Sequence, residues 1–355
     1  MRIAVLPGDG IGPEITDATV AVLEALDRKH GLGLAFERHV IGWESFKANG
    51  TTLPESVVEA VRGADGFILG PVSTQDYPPK AEGGINPSGY FRIALDLWAN
   101  IRPARSREGL SHYGRTPMDL VIVRENTEGF YADRNMFQGI GEFMPTEDIA
   151  LSVRKITRRA CERIARAAFE LARTRRKHVT AVHKSNVLHV TEGLFLEECR
   201  KIAKQHPDVT YEEQLVDSMA ALLVRQADHY DVVVTTNMYG DILSDEASEL
   251  SGSIGLAASI NASDDHCMAQ AQHGSAPDIA RQGIANPTSL ALSAGMLLGW
   301  LGRRHEDARY VRAEQTLEMV VTALLIDPAT RTKDLGGPLG TTAFTTAICE
   351  RIARA

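Results

Sequence analysis

The chain has no Cys-x-x-Cys pair and no Cys/His grouping at zinc-site spacing. Its four cysteines, Cys161, Cys199, Cys267 and Cys349, lie far apart. That excludes a disulfide framework or a zinc ribbon and suits reduced, mostly buried thiols. An excess of basic charge is also missing. The net charge is -8 over 355 residues, which argues against a nucleic-acid partner, because such affinity rests on Lys and Arg at phosphates. Arginines do gather over 154–177, but acids interrupt them at helical period, so a solvated helix face is expected there. No internal repeat and no low-complexity linker is present. No leader is expected either, since the chain opens directly into the strand-like run Arg2-Ile3-Ala4-Val5-Leu6, and a cytoplasmic location follows as the expectation. The segment 284–302 lacks charge over a membrane-like length. Asn286, Pro287 and its serines and glycines make it a buried core helix instead, so no membrane partner is expected.

What remains is an ordinary globular mixture, 44% hydrophobic and 24% charged, long enough for two domains or one large one. Apolar periodicity alternates between strand and helix from the first residue. Strands are expected at 2–6, 66–70, 120–123, 178–183, 209–216 and 231–236. Helices are expected after Pro13 up to Gly31, and at 54–62, 87–100, 152–173 and 192–205. Further helices follow, from Asp241 onward and at 288–301, 308–326 and 341–353. The pattern is α/β with parallel crossovers. The irregular stretch 132–146, rich in Gly, Asn and Met, reads as a functional loop or an arm reaching a partner.

Two local features carry chemistry. Gly8-Asp9-Gly10-Ile11-Gly12-Pro13-Glu14 follows a strand and opens a helix, which invites a dinucleotide fingerprint. The glycine spacing is wrong for that motif, and Asp9 and Glu14 would repel a pyrophosphate, so a Rossmann site is rejected in favour of a tight turn that can line a cleft. The second feature is Asn237-Met238-Tyr239-Gly240-Asp241-Ile242-Leu243-Ser244-Asp245. Asp241 and Asp245 share one helix face directly after a β-branched strand, which puts two hard oxygen ligands at the carboxyl end of a strand in an open α/β sheet. Taken alone, Asp241 would be a helix cap and Asp245 a solvated first-turn acid.

The chain resembles the β-decarboxylating dehydrogenases that act on isopropylmalate, isocitrate, homoisocitrate, tartrate and D-malate. The resemblance runs nearly end to end and is carried by the 8–14 loop, Ala99-Asn100-Ile101-Arg102-Pro103, and Arg124-Glu125-Asn126-Thr127-Glu128-Gly129-Phe130-Tyr131. It continues through Val182-His183-Lys184-Ser185-Asn186-Val187-Leu188, Val216-Asp217-Ser218-Met219, 237–248 and His273-Gly274-Ser275-Ala276-Pro277-Asp278-Ile279-Ala280. Asn286-Pro287 and Asp334-Leu335-Gly336-Gly337 complete it. It implies a two-domain isopropylmalate-dehydrogenase-like α/β fold, not a Rossmann fold, with the active site in the interdomain cleft. The first domain would hold 1–98 and 253–355. The second, 99–252, would build a homodimer with shared active sites.

The resemblance also implies roles. These enzymes oxidise a 2-hydroxy acid and then lose the carboxylate β to the new ketone. Lys184 matches the base or proton relay, and a lysine does that near neutral pH only if burial or nearby cations depress its pKa. Asp217, Asp241 and Asp245 match ligands of Mg²⁺ or Mn²⁺ that stabilises an enolate, with Lys184 and Asp217 lent by the other subunit. Tyr131 matches the acid that protonates the enolate. Arg92, Arg102 and Arg124 match the arginines that grip the malate-like core through bidentate pairing. NAD would lie along Asn186, His273, Gly274, Ser275, Ala276, Asp278, Ile279 and Asn286. Asp278 would accept bonds from both ribose hydroxyls and repel the 2′-phosphate of NADP. Many relatives carry Glu-Pro-Val before the histidine of this loop, where this chain has Gln270-Ala271-Gln272.

The γ-substituent of the acid is read from Gly83-Gly84-Ile85-Asn86-Pro87-Ser88-Gly89-Tyr90-Phe91-Arg92. Isopropylmalate enzymes place leucines here; isocitrate enzymes place Ser and Asn. Asn86 and Ser88 both fit the isocitrate serine, while Tyr90 and Phe91 can form an apolar wall. The lean is to a polar or small γ-group, with isopropylmalate open. Two rival classes are a non-catalytic regulatory subunit, which would be expected to have lost Tyr131, Lys184 or an aspartate, and a structural or nucleic-acid-binding module, which the acidic charge opposes.

Overall fold

The computed structural model describes residues 1–131 and 136–355; residues 132–135 of the expected arm lie outside the described residues. A ten-stranded sheet organises the molecule, in the order β2-β1-β3-β12-β11-β4-β5-β10-β8-β9. The strands are β1 (Arg2–Leu6), β2 (Ala35–Arg38), β3 (Gly66–Leu69), β4 (Ala99–Arg105), β5 (Asp119–Glu125), β8 (His178–His183), β9 (Thr210–Leu215), β10 (Val232–Thr235), β11 (Ile260–Ala262) and β12 (Cys267–Gln270). Strands β6 (Glu142–Thr146) and β7 (Ile149–Ser152) form a separate two-stranded ribbon.

Parallel crossovers alone do not describe this sheet. β5, β10, β8 and β9 run parallel to one another, and so do β2, β1, β3 and β12. The two groups meet through antiparallel pairings of β4 with β5 and with β11, and of β11 with β12. One correction to the sequence reading sits at these joins and another at the ribbon. The helix expected over 87–100 ends early: α4 is Pro87–Ala94, capped by Asn86, and Ala99 already begins β4. The helix expected from 152 begins only at α5 (Arg158–Arg173), where the Thr157 side chain accepts from the Ala160 N–H, because 149–152 belongs to the ribbon.

Apolar burial separates along the same lines. One cluster joins Ile3, Ile15, Leu26, Leu297, Leu317 and Phe344. A second covers the other face of the same strands, with Leu6, Phe67, Phe91 and Met268. Two further clusters, around Val123, Phe169, Val179 and Phe195 and around Ile122, Met219, Tyr230 and Val233, belong to the middle of the chain. The uncharged stretch forms α9 (Thr288–Arg304), buried along most of its length as expected. Among the described residues no helix is long and apolar enough to cross a membrane. The four thiols are free, three of them buried.

Candidate active site

The centre of the site is set by strand alternation. Asn100 and Arg102 project from the same face of β4, and Arg124 of β5 lies opposite Asn100 in register. That face meets α8 (Asn237–Ser251), which starts where β10 ends. Arg124 is only 2% exposed. It donates to Asp241 Oδ1 at 2.5 Å and, through two nitrogens, to Asn237 Oδ1 at 3.1 and 2.7 Å. Arg102 donates to Asn100 Oδ1 at 2.6 Å and Ser244 Oγ at 2.7 Å, and stands 3.2 Å from both Asp241 Oδ1 and Asp245 Oδ1. The Tyr131 hydroxyl reaches Asp241 Oδ2 at 3.3 Å. Asp241 does not cap the helix: the cap position is Thr236, without a side-chain cap bond.

The electrostatics follow from this crowding. Burial pushes the Arg124 guanidinium down to about 10, with the charge of Arg102 acting in the same direction. Burial works to raise Asp241, but Arg124, Arg102 and Arg92 overcome it and hold the carboxyl below its usual value. Asp245 goes the other way, raised by burial and by Asp241. Two half-exposed carboxylates on one helix face are a hard-oxygen donor set of the kind that suits Mg²⁺ or Mn²⁺.

Gly240 was not singled out from sequence and proves necessary. A Cβ there would come within 2.6 Å of Arg124 Cγ and 2.7 Å of its Cβ. The bare helix surface lets Arg124 lie flat between β5 and Asn237. Gly240→Ala is expected to displace Arg124, lowering stability by about 1–3 kcal/mol as overpacking does and raising the substrate KM more than the NAD KM. Thermal unfolding and steady-state kinetics check it.

Lys184 and Asp217 form a second group. Lys184 follows the last residue of β8 and donates from Nζ to Asp217 Oδ1 at 2.5 Å. Asp217 lies in the first turn of α7 (Val216–Gln226), and the Lys184 hydrogen bond holds its carboxyl below the usual value. The Lys184 backbone N–H donates to buried Glu192, which also pairs with Arg154. Arg154 in turn donates to Thr236 at 3.0 Å, tying the lysine loop to the start of α8. This corrects the solvated reading of the first arginine in that cluster: Arg154 precedes α5 and its side chain is buried. Among the described residues, the ligand atoms of Asp217 do not come together with those of Asp241 and Asp245 within one chain.

The third group surrounds the 273–279 loop. Ser275 accepts from the Ile11 N–H at 2.8 Å, and its hydroxyl meets Ser73 Oγ at 2.8 Å. Gly10, at φ +59°, allows that approach; a Cβ there would be 2.0 Å from the Ser275 carbonyl oxygen. The early glycine loop therefore lines this loop, as a tight turn does. Asp9 anchors it by accepting from the Trp43 and Ser73 N–H groups at 2.8 and 3.0 Å. Ala276 takes φ +36°, and Pro277–Ile279 is a 3-10 turn that leaves Asp278 exposed. His273 and Gly274 precede it, the ring Nδ1 lying 3.0 Å from the Gly274 oxygen. Asn286 donates to Asp334 at 3.0 Å and accepts from the Thr288 N–H at 3.0 Å, which gives the late Asp334 motif a place in the same region. Asn186 is exposed in the turn after Lys184. Asp278 offers an open carboxylate, an acceptor that fits ribose hydroxyls.

The segment expected to read the acid's γ-group resolves into two jobs. Asn86 is spent on capping α4, its Oδ1 accepting from Gly89. Ser88 donates to Gln270 Oε1 at 3.0 Å, and Arg92 reaches the same oxygen at 3.5 Å. Gln270 thus sits beside the expected substrate residues, a contact between residues far apart in the chain that no spacing rule would find.

Comparison with known proteins places the whole chain in one family. A family model described as Isocitrate/isopropylmalate dehydrogenase matches residues 2–352. An isocitrate/homoisocitrate dehydrogenase of Thermus thermophilus is 42% identical over 99% of this chain and 98% of its own. A 3-isopropylmalate/3-methylmalate dehydrogenase of Methanocaldococcus jannaschii is 40% identical over 99% and 98%. The crystal structure of isocitrate dehydrogenase from Methylococcus capsulatus superposes with a TM-score of 0.86 at 39% identity, covering 99% of both chains. With a family model that matches nearly the whole chain and relatives that are similar over almost their full length, the chain belongs to the isocitrate/isopropylmalate dehydrogenase family and is a decarboxylating dehydrogenase.

Proposed function

We propose that the chain catalyses NAD-dependent, Mg²⁺- or Mn²⁺-dependent oxidative decarboxylation of a 3-carboxy-2-hydroxy acid. The observation that carries this reading is the packed group Arg102, Arg124, Tyr131, Asp241 and Asp245, with three guanidinium-to-carboxylate approaches of 3.2 Å or less. Arg92, Arg102 and Arg124 bind the carboxylates of the acid and fix its orientation. Lys184 takes the hydroxyl proton during oxidation. Tyr131 returns a proton to the carbon that has lost its carboxylate. A divalent cation held by Asp241, Asp245 and Asp217 would supply Lewis-acid stabilisation of the enolate charge, and NAD along 273–279 with Asn186 and Asn286 would accept the hydride.

In this reading Lys184 and Asp217 act in the active site of a second copy, within a homodimer of two-domain subunits divided as 1–98 with 253–355 and 99–252. Two features support it. Asp217 pairs with Lys184, and its ligand atoms form no three-residue cluster with those of Asp241 and Asp245 in one chain, among the described residues. The β6–β7 ribbon is exposed throughout and carries Phe143, Met144, Ile149 and Leu151. A two-stranded ribbon with that many bare apolar groups requires a cover, which a second copy would provide.

Ser88 and Gln270 favour a polar or small γ-group, in the isocitrate, homoisocitrate, tartrate or malate class. The 3-isopropylmalate reading stays as the second, because a relative of 40% identity bears that name. NADH formation with Mn²⁺ across five acids, with CO₂ release followed alongside, tests both. A strong preference for isopropylmalate overturns the first. The Asp278 carboxylate predicts that NAD is used over NADP by more than about tenfold in kcat/KM, since an unpaired charge facing a phosphate costs at least ~1.4 kcal/mol. Equal use of the two cofactors would remove that role from Asp278.

A further inference from the structure

A cluster of metal-ligating side chains lies away from the dehydrogenase site. His178 and Thr180 share one face of β8, and Glu212 of edge strand β9 stands opposite Thr180 in register. His229 comes from the 3-10 turn Ala227–His229 that leads into β10. His178 Nε2 lies 3.3 Å from Glu212 Oε1, and His229 Nε2 lies 3.0 and 3.2 Å from Oε1 and Oε2. One ligand atom from each residue falls within 4.8 Å of the other two.

We propose that His178, Glu212 and His229 form a binding site for a borderline transition-metal dication of the Zn²⁺ class. Three observations point there. Zn²⁺ bonds of about 2.0–2.1 Å in a tetrahedron put neighbouring ligand atoms about 3.3 Å apart, which is the spacing of His178 Nε2 and Glu212 Oε1. His178 Nδ1 is 3.3 Å from the His229 backbone oxygen. Donation there leaves Nε2 as the ring atom that faces the Glu212 carboxylate oxygen, a contact that needs a proton or a metal cation between the two atoms. Thr180 Oγ1 donates to Glu212 Oε1 at 2.8 Å and fixes the carboxylate, as an outer-shell partner does. Two imidazoles and one carboxylate select Zn²⁺ or Co²⁺ over Mg²⁺, which prefers oxygen. The half-exposed rim at His229 leaves the fourth position to water. His178 opens β8 and Lys184 follows its end, so the two centres are separated by about 20 Å of strand. The ion would clamp edge strand β9 to the entrance of β10.

The test uses the full chain stripped with chelator and then held in excess Mg²⁺. Co²⁺ is titrated and followed by visible absorption, Zn²⁺ by calorimetry. Expected is one Zn²⁺ or Co²⁺ per chain that Mg²⁺ does not displace, a tetrahedral-type Co²⁺ spectrum, and a Zn²⁺-dependent rise in melting temperature. Asp245→Asn should keep this binding. His229→Ala, at a half-exposed position that tolerates truncation, should weaken it by more than about tenfold, and Glu212→Gln should do the same without altering side-chain size. Dehydrogenase activity should be unchanged in His229→Ala. Zn²⁺ affinity that is equal in wild type, His229→Ala and Glu212→Gln overturns the proposal, as does the absence of a Co²⁺ spectrum in wild type; either result leaves a proton-bridged His–Glu cluster.

Discussion

Replacing Lys184 by alanine is expected to lower kcat by about 10²- to 10⁴-fold, the range found when a positioned proton-transfer group is removed, while the acid's KM changes far less. Lys184 Nζ sits on a strand end, fixed by two neighbours: Asp217 at 2.5 Å on the side chain and Glu192 at 2.8 Å on the backbone N–H. Neither neighbour belongs to the arginine group proposed to bind carboxylates, so substrate grip should survive the loss. Its side chain is 26% exposed, so truncation leaves no cavity of consequence and the variant should fold. Steady-state kinetics with the preferred acid, at saturating NAD and Mn²⁺, read the split. If KM rises as steeply as kcat falls, Lys184 serves binding and the proton must leave through another group.

The parts of this molecule that the sequence made legible share one property: they are set by neighbours along the chain. β8 and α10 (Ala308–Ile326) fall on the expected residues because apolar periodicity is a local signal. The mixed centre of the sheet is different. β11 and β12 are three and four residues long, too short to show a period, and each is defined only by the strands beside it. β4 carries Asn, Arg and Pro among its apolar residues, so Ala99–Arg105 reads as a motif before it reads as a strand. The site divides in the same way. Asp241 and Asp245 declare themselves by helical spacing, whereas Gly240 matters only because Arg124, more than a hundred residues earlier, crosses its surface. Gln270 matters only because α4 brings Ser88 and Arg92 to it. Arg154 belonged by composition to an exposed basic run, yet its fate was decided by a buried glutamate on a distant helix.

Mixing two inactive variants is expected to restore activity. In the proposed reading Lys184→Ala lacks the proton relay, and Asp245→Asn lacks one hard-oxygen ligand. Asp245 is the better choice than Asp241 for this purpose, because its side chain is 53% exposed while Asp241 neutralises the buried Arg124. Suppose each active site combines Lys184 and Asp217 of one copy with Arg102, Arg124, Asp241 and Asp245 of the other. A mixed dimer then has one site that draws both defects and one that draws neither. Random pairing of equal amounts makes half of the dimers mixed, each with one of two sites intact, so about a quarter of wild-type activity should return. Coexpression followed by activity measurement on dimers carrying both tags raises the expected figure to about half. A site complete within each chain makes the opposite forecast, since every chain would carry a fatal change and the mixture would stay inactive. The distinction rests on the observation that Asp217 keeps to Lys184 in the single chain and does not join Asp241 and Asp245. Recovery near a quarter therefore assigns the lysine–aspartate pair to the neighbouring subunit, and a flat null in well-folded mixed dimers removes the shared site.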